Sequence, residues 1–100
     1  MSKRVLLATR DLVFRAKLAA VVAAAGGDVT RDEGACEVAV VEIDSTAVAE
    51  RIAALRDRRI AVLAYGAHVR ADLLRVARQA GAVAVPNSEV ERRLAELLNG

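Results

Sequence analysis

Aromatic side chains are almost missing from this chain: one Phe, one Tyr and no Trp make up 2% of its 100 residues. A β-sandwich anchored on rings lacks its material, and so does a stacking platform for single-stranded nucleic acid. There is one cysteine, Cys36, so no intramolecular disulfide can form, and a reduced, cytoplasmic setting fits best. Nothing near Cys36 looks like a base or a metal ligand, and it reads as a structural thiol. One Cys and one His, His68, leave no zinc site. The opening "MSKRVLLATRD" has an apolar run that Arg10 and Asp11 cut short, which excludes a signal-peptide core or a membrane span there. No glycine-rich loop follows the first strand, so the nucleotide-binding fingerprints are absent. The net charge is only +2, which gives no reason to expect nucleic acid as a partner.

What the chain does have is small and branched aliphatic residues: 55% of it is hydrophobic, against 28% charged and a single proline. That composition belongs to one globular domain spanning residues 1–100, with a core of Ala, Val, Leu and Ile suited to a parallel sheet between helices.

Apolar runs of strand length alternate with segments of helical period. "RVLLA" (Arg4 to Ala8) reads as a strand leading into a helix from about Leu12 to Ala25, capped by Asp11 and closed by Gly26-Gly27. Val38 to Ile43 reads as the central strand, apolar on both faces until Glu42. A helix from about Ala47 to Arg58 follows, then a strand from Ile60 to Tyr65, a helix from Arg70 to Ala80 closed by Gly81, and a short strand from Ala82 to Val85. In "SEVE", Ser88 and Glu91 have the spacing of a capping box opening the last helix.

The irregular place is "GDVTRDEGACE", Gly27 to Glu37. A strand at Asp28 to Arg31 leaves about five residues before the central strand, whereas a parallel crossover takes about a dozen or more. Five extended residues reach about 17 Å, just enough to return across the sheet without a helix. A missing helix is expected to leave Val38, Val40 and Leu6 or Ala8 thinly covered, and thereby to favour a homodimer or a protein partner.

In an open parallel sheet the functional loops follow the carboxyl ends of the strands, here Thr9-Arg10-Asp11, Glu42-Ile43-Asp44-Ser45, Gly66-Ala67-His68 and Pro86-Asn87-Ser88. The order of "VLLATRD", "VAVVEID", "IAVLAYGAH" and "GAVAVP" resembles a CheY-like response-regulator receiver domain over essentially the whole chain. The resemblance implies a flavodoxin-like, doubly wound α/β fold with five parallel strands in the order 2-1-3-4-5 and a second helix that is shortened or missing.

Receivers phosphorylate an aspartate at the end of the central strand. An acidic pair after the first strand holds Mg²⁺, a Ser or Thr follows the fourth strand, and a Lys follows the fifth. Those positions fall here on Thr9 and Arg10, on Glu42, on Gly66, and on Asn87 or its neighbour Ser88. None keeps the family's residue. An arginine in place of an acid repels a divalent cation, so no Mg²⁺ and no other cofactor is expected. Without metal or Lys, nothing neutralises a transferring phosphoryl group at Glu42. An ion pair between the Arg10 guanidinium and Glu42 is expected instead. Asp44 reads first as an N-cap or loop acid, Ser45 and Thr46 as capping residues, and His68 as solvent-facing.

The resulting expectation is a degenerate receiver, or pseudo-receiver: a non-phosphorylated protein-interaction module in bacterial signalling or regulation, and not an enzyme. Receivers commonly present the fourth helix, fifth strand and fifth helix for output, which here implies Tyr65, Arg70, Arg75, Arg78, Arg92 and Arg93. The alternatives are a receiver that accepts phosphate at the displaced carboxylate Asp44, and a small-molecule binder using a polar crevice around Thr9, Glu42, Gly66 and His68.

Overall fold

A computed structural model describes residues 3–99. Five parallel strands form one sheet in the order β2-β1-β3-β4-β5, with β1 at Arg4–Ala8, β2 at Asp28–Thr30, β3 at Val38–Glu42, β4 at Ala61–Gly66 and β5 at Val83–Pro86. The helices are α1 (Leu12–Ala24), α2 (Val48–Asp57), α3 (Ala71–Gln79) and α4 (Val90–Asn99).

Because side chains alternate along a strand, the sheet has two apolar faces and needs a helix layer on each. Val5, Leu7, Val38, Val40, Leu63, Tyr65 and Val85 face α1 and α4, meeting Leu18 and Val22 from the first helix and Val90 and Leu94 from the last. Leu6, Ala39, Val41, Val62, Ala64 and Ala84 face α2 and α3, meeting Ile52, Leu55, Leu73, Leu74 and Ala77. Burying each of the larger aliphatic chains contributes about 1.5–3 kcal/mol, and this packing, rather than helix propensity, holds elements of about ten residues in place. Three alanines on the second face let α2 and α3 approach the strands closely.

The Asp11 carboxylate caps α1, accepting from the backbone N–H of Val13 at 2.9 Å and of Phe14 at 3.1 Å. At the other end, Gly27 N–H donates to the Val22 carbonyl and Gly26 N–H to that of Ala23, a Schellman closure with Gly26 at φ 78°. The same closure ends α3 at Gly81 (φ 109°) and α2 at Arg59, a non-glycine residue at φ 61°. The last helix is entered differently from the expected capping box. Ser88 lies inside a 3₁₀ turn, Asn87–Glu89, whose N-cap is Pro86, and no side-chain cap bond is made there. The tight turn leads the chain from β5 into the helix without a capping hydroxyl.

Between β2 and β3 no crossover helix is present, as expected. The link makes one 3₁₀ turn, Glu33–Ala35, capped by Asp32 Oδ1 accepting from Gly34 N–H at 2.9 Å. Cys36 is 9% exposed in the same cluster as Leu6, and Glu33 ties the turn to α2 through Arg51 at 2.7 Å. The expected thin coverage holds only at Ala8, which stays half-buried; Val38 and Val40 point to the opposite face, where they are 3% and 0% exposed. Leu6 is buried together with Cys36 of the link itself. Among the described residues no helix is long and apolar enough to cross a membrane.

Candidate functional site

Strand alternation and register place three polar side chains together at the carboxyl edge of the sheet. Glu42 pairs with Tyr65 across β3 and β4, and Thr9 follows Leu7 by two residues, so all three face the α1 side. The Thr9 hydroxyl donates to Glu42 Oε1 at 2.8 Å, and the backbone N–H of Arg10 donates to the same oxygen at 3.0 Å. Thr9 and Tyr65 are also hydrogen-bonded through their hydroxyls. A hydroxyl has one proton, and that of Thr9 is directed to Glu42, so the Tyr65 O–H is the donor to Thr9. A chain of donors thus runs from Tyr65 through Thr9 to the carboxylate.

Tyr65 is 2% exposed, and its ring packs on Phe14 with centroids 5.2 Å apart. Burial raises the Tyr65 pKa above that of an ordinary tyrosine, and the nearby Glu42 charge raises it further. The phenol therefore stays protonated and able to donate. This burial also removes Tyr65 from the expected interaction surface: its side chain belongs to the interior.

The expected ion pair between the Arg10 guanidinium and Glu42 is not formed. The Arg10 side chain turns outward, 89% exposed, and lies 3.6 Å from Asp44; only its backbone reaches Glu42. The reason is geometric: Glu42 faces the α1 side and is satisfied there by the N–H of Arg10 and the Thr9 hydroxyl. Asp44 does not cap α2 either. Ala47 is the N-cap and makes no side-chain cap bond, while Ser45 Oγ accepts from Ala47 N–H at 3.3 Å.

Glu42, Gly66 and Asn87 do converge, lining a crevice of about 220 Å³ together with Asp11, Phe14 and Tyr65. Gly66 sits flat against β3, since a Cβ there would lie 3.4 Å from the Ile43 Cβ. His68 is exposed on the next loop. The residues present do not suit Mg²⁺. The Glu42 oxygen that faces Thr9 and Arg10 is taken by an O–H and an N–H donor, and Asp11 is engaged as a helix cap. A hard cation needs anionic oxygens free to turn toward it. Among the described residues no group of three or more His, Cys, Asp or Glu gathers as a metal site.

Of the other expected surface residues, Arg70, Arg75 and Arg78 are exposed at the start of and along α3, Arg70 lying 3.6 Å from Asp72 and Arg78 donating to the Ala84 carbonyl at 2.9 Å. Arg92 is engaged by Glu89 of the preceding 3₁₀ turn and by Glu96 of α4 at 2.8 and 2.9 Å, and Arg93 is 3.8 Å from Glu96. The residue missed from sequence as a member of the site is Tyr65 in its role beside Thr9. The strand register would have found it, since Glu42 and Tyr65 are cross-strand partners.

No protein-family model and no curated protein matches the chain by sequence. Solved structures do match it in fold. A CheY-like receiver domain protein from Methanospirillum hungatei JF-1 aligns with a TM-score of 0.75 at 16% identity, covering 98% of this chain and 91% of that one. A CheY-like protein, TadZ, from Pseudomonas aeruginosa PAO1 aligns with a TM-score of 0.75 at 18% identity, covering 100% and 95%. NtrX from Brucella abortus aligns with a TM-score of 0.74 at 15% identity; the match covers 97% of this chain but only 26% of that longer one. The chain has the flavodoxin-like fold of CheY-like receiver domains.

Proposed function

We propose that the chain is a pseudo-receiver: a receiver-fold module that binds another protein in bacterial signalling or regulation, without phosphorylation and without catalysis. The observation that carries the reading is the engagement of Glu42 by the Thr9 hydroxyl and the Arg10 N–H, at 2.8 and 3.0 Å. A phosphoacceptor carboxylate must be free to attack and must have cationic groups around the phosphoryl oxygens as charge develops on them. Here the carboxylate is held by neutral donors, and Thr9, Gly66 and Asn87 bring no charge.

The fold is then used in one fixed state. The exposed arginines at the start of and along α3, Arg70, Arg75 and Arg78, present positive charge to a partner, and acidic protein surface is its complement. Arg92 and Arg93, already paired with Glu89 and Glu96, contribute less.

Intact mass after incubation with acetyl phosphate and Mg²⁺ tests the reading. The expected spectrum is that of the unmodified chain. One added phosphate, at Glu42 or at Asp44, overturns it and makes the chain a working receiver.

A further inference from the structure

The link that replaces a crossover helix covers only part of the sheet face, and beside it a groove of about 800 Å³ remains open. That is within the range of about 300–1,000 Å³ typical of small-molecule sites. It lies at the carboxyl ends of β1 and β3, on either side of the point where the 2-1-3-4-5 order reverses direction, which is where open α/β sheets form a crevice. Its floor includes Ala8 and Val41, and four arginines line it: Arg10, Arg15, Arg31 and Arg51.

These charges are only partly compensated. Arg51 is engaged by Glu33 at 2.7 Å, and Arg10 is loosely paired with Asp44 at 3.6 Å. Arg15 is half-buried and held by the Leu7 carbonyl at 2.9 Å, which orients the guanidinium without neutralising it. Arg31 is exposed and has no ion pair among the described residues. The carboxylates that line the groove are Glu42, held by the neutral donors of Thr9 and Arg10 with its charge intact, and Asp44, so that with Glu33 three carboxylates stand against four guanidinium groups. The start of α2, with Ala47 and Val48 in the wall, adds the positive end of a helix dipole. No aromatic side chain lines the groove, so recognition there rests on charge and not on stacking of a base.

We propose that this groove binds a small multivalent anion bearing phosphate or carboxylate groups, held by the guanidinium forks of Arg15 and Arg31 with Arg10 and Arg51 at its rim. Planar guanidinium groups suit both oxyanions, since each can donate two parallel hydrogen bonds. The groove includes Thr9, Arg10 and Glu42 of the site described above, but not Gly66 or Asn87 of the small crevice.

The test is a titration of the ¹⁵N-labelled full chain, followed by amide shifts, with inorganic pyrophosphate in one arm and citrate in the other, at constant ionic strength. Saturable shifts at Thr30, Arg31 and Ser45 are expected, and Arg31→Glu weakens binding by at least about tenfold, whereas Arg75→Glu, with the same change in charge on the opposite wing of the sheet, leaves it unchanged. Tighter pyrophosphate binding assigns the site to a phosphate-bearing ligand, and tighter citrate binding to a polycarboxylate. Absence of saturable shifts up to about 10 mM, or equal weakening by Arg75→Glu and Arg31→Glu, overturns the site.

Discussion

Thr9 and Glu42 meet at 2.8 Å across the junction of β1 and β3, and the direction of that bond fixes the rest of the site. Because Thr9 donates to the carboxylate, it must accept from Tyr65. Glu42 is thereby tied to β1 by Thr9 and Arg10, and through Thr9 to Tyr65 on β4. Glu42, at the strand end where the receiver resemblance puts the phosphoacceptor, thus links the ends of three neighbouring strands.

Thr9→Val keeps the shape of the side chain and removes both of its hydrogen bonds. Tyr65 then has a buried O–H without its acceptor, and Glu42 loses one donor. The cost is expected at about 1–3 kcal/mol, which for a domain of this size lowers Tm by about 4–8 °C per kcal/mol. Tyr65→Phe removes donor and proton together and costs less, about 1 kcal/mol. In the double variant the two effects are expected to be less than additive, because both act on one chain of bonds. Thermal unfolding of the three variants measures this; additive losses would show that Thr9 and Tyr65 act separately.

Stability should fall at alkaline pH. Burial raises the Tyr65 pKa, with Glu42 adding to the rise, and burial is likewise the largest cause of a raised value at Cys36. A group with a raised folded-state pKa favours its protonated form in the fold. Its contribution is complete below the unfolded value and is lost as pH rises through the folded one. Urea midpoints should therefore be flat at neutral pH and decline from about pH 9 upward, since free Cys and Tyr titrate at about 8.5 and 10. Tyr65→Phe should make the decline above about pH 10 shallower. An undiminished slope in that variant would mean that Tyr65 is not its source.

The Cys36 thiol, buried against Leu6 with its S–H toward the Glu33 carbonyl at 3.4 Å, should resist alkylation. Only the thiolate attacks, and burial disfavours it. Iodoacetamide at pH 8 is expected to modify the native chain more than about tenfold more slowly than the urea-unfolded chain. Equal rates would place the link between β2 and β3 in frequent opening.

The strand order followed from the resemblance to receiver domains; the five strands and the absence of a crossover helix were legible because each depends on local pattern: apolar runs of strand length, helical periods, and too few residues between Thr30 and Val38. The positions at the strand ends were legible for the same reason. Their partners were not. Whether Arg10 meets Glu42 or Asp44 depends on how the chain leaves the strands: Glu42, the last residue of β3, turns to the α1 side with Thr9, whereas Arg10 and Asp44 lie in the loops beyond β1 and β3, where strand alternation no longer holds. Val38 and Val40 were assigned to the uncovered face for want of the same parity. Ser88 and Glu91 had the spacing of a capping box, yet the 3₁₀ turn after Pro86 left Ser88 inside the turn. The anion groove had no sequence signature, since Arg10, Arg15, Arg31 and Arg51 come from four separate segments.

Arg59 is the odd member among the helix ends. Three helices close with the same pair of backbone bonds; two place glycine at the left-handed position, Gly26 at 78° and Gly81 at 109°, and the third places Arg59 there at 61°. An L side chain in that region costs about 1 kcal/mol that glycine does not. Arg59 is exposed and has no hydrogen bond or ion pair of its side chain among the described residues, so removing it loses no contact. Arg59→Gly is therefore expected to stabilise the chain by up to about 1 kcal/mol, the gain being reduced by the greater freedom of glycine in the unfolded state. Arg59→Ala keeps a Cβ and should bring no such gain. Gly81→Ala should destabilise, since it meets both the positive φ and a Cβ contact of 3.1 Å with Arg56 Cγ. Denaturant midpoints of the three variants decide the matter: a gain in Arg59→Ala equal to that in Arg59→Gly would trace the effect to lost charge in an arginine-rich helix end, and not to backbone strain.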